Sequence, residues 1–378
     1  MRDRFIWSTS LPTVSAPHVR DGNNADRLLN RFIIASMPCW FIGMWNIGEQ
    51  IAVGMQIAGI DTLSGWRADL ISALGLPPDP ENILSCWLHG LLYFLPVFLT
   101  ALLVGVFWEV LFASRRNRPL DEGVLCIAWL FAMVLPPSIS LLQVAYGMTI
   151  AMVMGKAIFG GTGRYLVSPP ILGICVLFFS YSNVIYGPEA WIPLPGYQEP
   201  TTLELAILEG GVEALIAVDY SWWGLFIGNQ PGPFGVTSAL GCLLGAIYLI
   251  MTGSASWRIM AGSVIGMVVT VGLIGLTASD GSDVLATPWY WHAVLGGWAF
   301  GTVFLATDPT ASATTRTGRW VFGMLVGILT VVVRLTNPAY FEGVVFAILL
   351  ASIFAPLCDH FVIERNIARR RARSERRS

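Results

Sequence analysis

Residues 86–113 read CWLHGLLYFLPVFLTALLVGVFWEVLFA, and this stretch decides the fold class. Glu109 is its only charged residue, and most of the other side chains are apolar. About 20 apolar residues in a helix are enough to cross the roughly 30 Å hydrocarbon core of a bilayer. The stretch therefore predicts a helix that spans a membrane.

The composition of the whole chain agrees with this prediction. Of its 378 residues, 55% are hydrophobic and only 12% are charged, and the mean hydropathy is +0.65. Soluble globular chains carry about 25% charged residues. The 39 glycines and 15 tryptophans are typical of spans that pack through small residues and are anchored by aromatic residues at the interface. We expect lipid neighbours and no nucleic-acid partner.

Ten stretches are apolar and long enough to be membrane spans. They cover approximately residues 32–54, 86–113, 123–136, 139–158, 169–187, 236–252, 257–278, 288–307, 319–336 and 341–362. The third is short and ends at Pro136-Pro137, so it is either a separate span or half of a broken hairpin with the fourth. The predicted fold is an all-α polytopic membrane protein with about ten transmembrane helices.

The basic residues predict the orientation of these helices. With ten spans, all but two of the 22 lysines and arginines fall on one side, and the exceptions are Arg67 and Arg334. Basic loops face the cytoplasm, so both termini are predicted to be cytoplasmic. The chain then divides into an N-terminal arm (1–31), a membrane domain (32–362) and a basic tail (363–378).

One long segment, 188–235, lies on the opposite, external side. It contains no lysine or arginine but six acidic residues. Loops of this length are usually functional or have structure of their own. Five spans on each side of it suggest a five-plus-five inverted repeat, with Ser168-Pro169-Pro170 and Asn337-Pro338-Ala339 as counterparts.

Three carboxylates lie near predicted cytoplasmic helix ends: Glu109, Asp308 and Asp359. Charge at membrane depth is costly and is usually functional or interfacial. The simpler interpretation is an interfacial carboxylate or a helix cap. The alternative is a cytoplasmic entrance for a hard cation such as Na⁺, because oxygen ligands suit such ions.

Other polar features of the sequence are less specific. The turn Phe159–Arg164 is rich in glycine and could bind a phosphate, but it is not a P-loop, and a tight connection between helices is the better interpretation. The six cysteines occur singly and are interpreted as small packing residues, and the four histidines show no metal-binding spacing.

Several ordered motifs resemble the B subunits of Na⁺-translocating NADH:quinone reductases over nearly the whole chain. These motifs are Ala16–Asp21, Phe107–Phe112, Phe159–Arg164, Ala255–Arg258, Pro288–His292, Phe304–Pro309, Asn337–Tyr340 and Phe354–His360. So many matches in the same order are very improbable by chance.

The resemblance implies the fold, the cofactors and the partners. It implies a ten-helix architecture similar to urea transporters, within a complex of the bacterial inner membrane that contains this chain and five other subunits. That complex passes electrons from NADH through flavins to ubiquinone and exports Na⁺, using acidic residues for sodium uptake. The B subunit in this family carries riboflavin and also FMN, which a flavin transferase joins to an external threonine by a phosphoester.

The family's FMN motif, Asp-Gly-x-Ser-Gly-Ala-Thr, aligns with residues 195–201. Gly196, an aromatic residue, Thr201 and Leu203 match, whereas four positions of the motif differ. The differing residues are Pro195, Gln198, Glu199 and Pro200. Thr201 is the aligned FMN acceptor and Thr202 the adjacent alternative; without the resemblance, this Thr-Thr pair would be interpreted as a turn or an N-cap.

The family's quinone site involves a glycine pair before the Phe-Trp-Glu motif. Gly105 matches the first glycine and Val106 replaces the second, so only Gly105 is assigned to quinone binding. Two other functions remain open: the D-type subunit of an Rnf ferredoxin:NAD⁺ oxidoreductase, and a channel or carrier without redox chemistry.

Overall fold

The computed structural model describes residues 25–60, 65–73, 75, 77–117, 120, 121, 123–194, 196–208, 210–277, 287–336 and 342–375. Within these ranges the chain is helical and contains no strand, which confirms the all-α membrane fold. Predictions for residues 1–24, for Pro195 and for 337–341 lie outside the described residues.

Sixteen helices follow one another within these ranges. They are α1 Ala25–Ala58, α2 Trp66–Ala73, α3 Ile83–Arg116, α4 Val124–Val134, α5 Leu141–Ile150, α6 Pro169–Ser180, α7 Ser182–Tyr186, α8 Thr202–Leu208, α9 Val212–Ala217, α10 Trp222–Ile227, α11 Ala239–Met251, α12 Trp257–Thr277, α13 Trp289–His292, α14 Trp298–Phe300, α15 Arg316–Thr336 and α16 Val344–Glu375. Two π-helical segments, Ala151–Ala157 and Gly301–Leu305, continue α5 and α14.

Five helices are long and apolar enough to cross a membrane: α1, α3, α12, α15 and α16. The longest, α1 and α3, have 34 residues each, or about 51 Å. The remaining predicted stretches contain shorter apolar helices. Among them α4 has 11 residues, about 16 Å, which is half of a bilayer core.

The eighth predicted stretch, 288–307, is broken and is not a continuous span. It contains α13, a turn at Gly296-Gly297, and then α14 with its π-helical segment. Gly296 has a φ of +63°, a conformation that side chains other than glycine rarely adopt. The apolar pattern could not reveal this break, because both arms of the broken helix are themselves apolar.

Close helix packing depends on glycine, as the composition suggested. In α12 and α15, Gly262, Gly266, Gly323 and Gly327 lie where each helix touches the backbone of the other. A Cβ atom at Gly262 would lie 2.9 Å from the carbonyl oxygen of Trp320. Small residues of this kind let helices approach closely where no hydrophobic effect drives them together.

The segment 188–235 is structured. It contains α8, α9 and α10, whose apolar residues form a small core of their own with Trp291, Val294 and Leu295. In both halves of the chain the second predicted span packs on the fourth, and the fourth packs on the fifth. In the first half α3 packs on α5 and α5 on α6. In the second half α12 packs on α15 and α15 on α16. The five-plus-five inverted repeat as a whole remains a prediction.

We predict that reporter fusions at Ser378 and near Glu209 will report opposite sides of the membrane. The physical reason is the one-sided distribution of basic residues, which predicts that both termini stay in the cytoplasm. Alkaline phosphatase and green fluorescent protein activities would measure the two positions. The same side for both would disprove the ten-span topology.

Candidate functional site

Glu109 lies in a partly buried charged cluster near the end of α3. Its Oε2 atom is 2.9 Å from Nζ of Lys156, and its Oε1 atom accepts a hydrogen bond of 3.0 Å from the N–H of Asp121. The Glu109 and Lys156 side chains are only 12% and 2% exposed. Lys156 belongs to the π-helical segment after α5, a type of irregularity that is frequent at functional sites.

Asp121 connects this cluster to the glycine-rich turn. Its Oδ2 atom lies 3.6 Å from Nζ of Lys156 and accepts the N–H of Thr162. A Cβ atom at Gly161 would lie 2.5 Å from the same oxygen. The turn therefore holds a carboxylate of its own chain, which supports the interpretation as a tight connection.

A cavity of about 390 Å³ opens beside Glu109, and we call it the Glu109 cavity. Aromatic and charged side chains line this cavity together with a methionine; they include Trp108, Phe112, Arg116, Met152 and Lys156. The indole N–H of Trp108 donates to Oγ1 of Thr149 at 3.0 Å, which fixes the ring. The volume is within the range of small-molecule sites.

Gly105 lies one helical turn before Glu109 and is buried. A Cβ atom there would lie 2.7 Å from Cε of Met148 and 3.1 Å from Cγ1 of Val124. Gly105 therefore allows α3 to pack closely against Met148 of α5 and Val124 of α4, one helical turn from Glu109.

Asp308 follows the π-helical segment 301–305 and is half-buried. Its Oδ1 atom accepts the N–H of Thr310 at 3.0 Å and the hydroxyl of Thr310 at 2.6 Å. Tyr165 lies within hydrogen-bonding reach of Thr310. Burial first, and then the Asp308 carboxylate, raise the pKa of Tyr165 well above its usual value, so this hydroxyl stays protonated.

Asp359 is held by the loop before α15. It accepts the N–H and hydroxyl groups of Thr314 at 2.7 and 2.8 Å, and those of Thr315 at 2.9 and 2.5 Å. A cavity of about 420 Å³ lies beside it and also reaches Tyr165 and Thr310. Asp308 and Asp359 therefore meet around one loop, residues 306–315, whereas Glu109 has a cluster of its own.

Thr201 and Thr202 differ sharply in what their hydroxyl groups do. Thr201 is half-buried, and its Oγ1 atom accepts the N–H of Glu204 at 3.1 Å, which is the N-cap bond of α8. Thr202 is 2% exposed and donates its hydroxyl to Oε1 of Gln230 at 2.6 Å. Of the two hydroxyl groups, that of Thr201 is the more accessible.

The residues that depart from the FMN motif hold their segment in place. Glu199 accepts the hydroxyl groups of Tyr197 at 3.2 Å and of Tyr220 at 3.0 Å, and Gln198 donates to Glu189 at 2.7 Å. Burial, and then the Glu199 carboxylate, raise the pKa of Tyr220. Side-chain hydrogen bonds thus fix a segment that in the family is built from small residues.

Gln230 joins this segment to the membrane helices. It is 2% exposed and binds Asn46 of α1 through its backbone N–H and carbonyl groups. Its side chain accepts from Thr202 and donates to the carbonyl oxygens of Thr237 and Val294. No sequence pattern indicated this role, because all its partners are distant in the chain or belong to the backbone.

The sequence pattern also did not identify Arg334 and Glu342, the two charged residues at the break in 288–307. Arg334 is buried and donates from its two terminal nitrogens to the carbonyl oxygens of His292 and Leu295, both at 2.9 Å. Glu342 accepts the N–H of Gly297 at 2.7 Å. Each charge therefore compensates the backbone groups that the break leaves without helical partners.

This is a polytopic helical membrane protein. Its long apolar helices surround polar sites, among them the break in 288–307 with the charged residues Arg334 and Glu342. Within that class, a model of the NQR2, RnfD, RnfE family matches residues 12–368. This chain belongs to that family, which confirms the resemblance predicted from the motifs.

Its relatives are similar over nearly their whole length. The B subunit of the Na(+)-translocating NADH-quinone reductase of Azotobacter vinelandii is 43% identical over 376 residues, which are 98% of this chain and 92% of that protein. The corresponding B subunits of Pseudomonas aeruginosa and Chromohalobacter salexigens are each 42% identical, over 375 and 373 residues. These alignments include 92% and 90% of the two relatives, and 98% of this chain in both cases.

Proposed function

We propose that this chain is the B subunit of a bacterial Na⁺-translocating NADH:ubiquinone reductase of the inner membrane. In this role it relays electrons through flavin towards quinone, coupled to Na⁺ export, together with five other subunits. The observation that carries the proposal is the near-full-length similarity to relatives with that name. Both termini face the cytoplasm in this proposal.

The Glu109 cavity is the proposed quinone site. Trp108 and Phe112 offer flat apolar surfaces, and Lys156 and Arg116 offer N–H donors for quinone oxygens. Aromatic walls with a few placed polar groups are the usual lining of a small-molecule site. Gly105 lies one helical turn from Glu109 and leaves room for the side chain of Met148 between α3 and α5.

The external segment is the proposed flavin-bearing region, with FMN on Thr201 and with riboflavin bound noncovalently elsewhere in the chain. Thr201 supports this proposal because its hydroxyl group is half-buried, whereas Thr202 is enclosed. Bound flavin would supply one-electron chemistry, and the protein would set its position and electrostatic environment.

Visible absorbance of the purified complex, before and after denaturation, tests the redox function. The proposal expects flavin absorbance, part of which stays with the chain after denaturation, and quinone reduction by NADH that requires Na⁺. Reduction that depends on ferredoxin and NAD⁺ would instead indicate the Rnf-type subunit. A chain that carries no flavin at all would indicate a channel or carrier.

We predict that Glu109→Gln, Asp308→Asn and Asp359→Asn each raise the Na⁺ concentration for half-maximal quinone reduction. An amide lacks the charge that attracts a hard cation, so a rise of about tenfold is expected. Quinone reduction measured against NaCl concentration gives this value. Glu213→Gln, on the exposed surface of α9, is the matched control and should behave like wild type. Wild-type sodium dependence in all three variants would make these carboxylates structural.

We predict that Gly105→Ala raises the KM for quinone about tenfold and leaves the NADH reaction of the complex unchanged. The added methyl group would meet Met148 and Val124, and a shift of α3 that relieves these contacts is expected to move Trp108 and Glu109, which line the cavity one turn further along the helix. Initial rates with a short-chain ubiquinone measure the effect. Gly272→Ala in α12 is the control, because its Cβ atom would meet no atom within 4 Å. An unchanged KM would remove Gly105 from the quinone site.

A further inference from the structure

A small cavity lies between the external segment and the broken helix, and we call it the Glu342 cavity. It is lined by Thr201, Gln230, Thr237, Gly296 and Glu342. Its volume is about 10 Å³, which is close to the space that a single water molecule needs. The cavity therefore has room for about one ligand of the size of a water molecule.

The oxygen atoms around this cavity are those that a hard cation requires. Glu342 is half-buried, and a Cβ atom at Gly296 would lie 3.0 Å from its Oε1 atom. Its Oε2 atom accepts the N–H of Gly297. Na⁺, like Ca²⁺ and Mg²⁺, prefers carboxylate, hydroxyl and carbonyl oxygens.

Thr237 supplies an independent sign of a ligand. Its side chain is 3% exposed, and its Oγ1 atom has no hydrogen-bond partner among the described residues. Leaving a buried hydroxyl group without a partner is unfavourable, because the group loses its hydrogen bonds to water and gains none in return. The side chain lines the same cavity as Glu342, so one bound ion could satisfy both groups.

The neighbouring charge limits how strongly an ion can bind. Arg334 lies within electrostatic reach of Glu342, but its terminal nitrogens are bonded to the carbonyl oxygens of His292 and Leu295. Its positive charge opposes that of a bound cation. Weak binding follows, which suits an ion that must leave on the external side.

We propose that the Glu342 cavity binds a single Na⁺ ion through the Glu342 carboxylate and the Thr237 hydroxyl. This inference rests on the proposed function and adds a sodium site on its external side. Because Thr201 lines the same cavity, the ion would lie beside the proposed flavin position. A positive charge there favours the reduction of a nearby flavin, which links ion position to electron transfer.

Thermal unfolding of the purified full-length chain tests the site, with NaCl compared with choline chloride at equal ionic strength. An ion that binds only the folded chain raises the unfolding midpoint. The NaCl concentration for half of this effect should rise about fivefold in Thr237→Val and about tenfold in Glu342→Gln. Thr237→Ser keeps the hydroxyl group and should match wild type.

Thr330→Val is a second control, because its buried hydroxyl group bonds to the carbonyl oxygen of Val326 within α15. If Thr237→Val cannot be purified, Thr237→Ala gives the same comparison. A midpoint that does not respond to Na⁺, or a response unchanged in Thr237→Val, would overturn the site.

The site and the proposed function fail separately. Sodium-dependent quinone reduction together with an unchanged response in Thr237→Val would remove the site alone. The expected response of the isolated chain, without any Na⁺-dependent quinone reduction by the complex, would remove the function and keep the site.

Discussion

Replacing Thr201 by alanine is expected to remove the covalently bound flavin completely. The phosphoester needs the threonine hydroxyl, and the neighbouring hydroxyl of Thr202 is buried and bonded to Gln230. Fluorescence of the chain after denaturing electrophoresis, and the mass of the peptide that contains residue 201, measure the attachment. The chain must be produced with an active flavin transferase.

The Thr202→Ala variant is the matched control. It loses the 2.6 Å bond to Gln230, which costs about 1–2 kcal/mol, but it keeps the acceptor and should keep the flavin. An unmodified wild-type peptide, or flavin retained by Thr201→Ala, would contradict the assignment.

Glu199 is the residue of the altered motif that could oppose attachment of FMN. Its carboxylate repels an FMN phosphate by about 1 kcal/mol or less when solvated, which is small beside a covalent bond. Its hydrogen bonds to Tyr197 and Tyr220 matter more for attachment than its charge does, because they hold the segment that a transferase must recognise. The charge therefore does not exclude attachment, and recognition by the transferase decides the outcome.

Replacing Lys156 by methionine is expected to lower the free energy of unfolding by about 3–5 kcal/mol. The variant leaves the Glu109 carboxylate buried without its 2.9 Å partner, and breaking one side of a buried ion pair has costs of this size. Denaturant titration of the purified chain in detergent measures the loss.

A double-mutant cycle separates the pair from its surroundings. Glu109→Leu combined with Lys156→Met replaces both charges by apolar groups and should recover most of the loss. Arg164→Met removes an exposed charge beside the same cavity and should change stability by about 0.5 kcal/mol or less. If Lys156→Met is as mild as Arg164→Met, the pair does not stabilise the fold.

The apolar stretches predicted the membrane fold because the hydrophobic requirement of a span acts on every residue in it. The ends of α12 are within one residue of the prediction 257–278, and α4 ends before Pro136-Pro137 as its short stretch suggested. The interpretation of the Thr-Thr pair as a turn or an N-cap also follows from local sequence, and Thr201 forms the N-cap bond of α8.

Helices α1 and α16 extend beyond the predicted spans 32–54 and 341–362. α1 begins at Ala25 rather than at residue 32, and α16 continues to Glu375 rather than ending at 362. Hydropathy shows only which part of a helix is apolar. The helix itself continues as long as its backbone hydrogen bonds are formed, so turns with charged residues extend beyond the membrane span.

The sequence by itself determined the helical membrane fold, the family and the candidate carboxylates. Only the tertiary structure decided that Lys156 neutralises Glu109, that Asp308 and Asp359 share a loop, and that Arg334 and Glu342 lie at the broken helix. The physical reason is that a buried charge is stabilised by whatever partner packing places within a few ångströms of it. Lys156 is 47 residues from Glu109, and Arg334 is 42 from His292, so no local pattern records either contact.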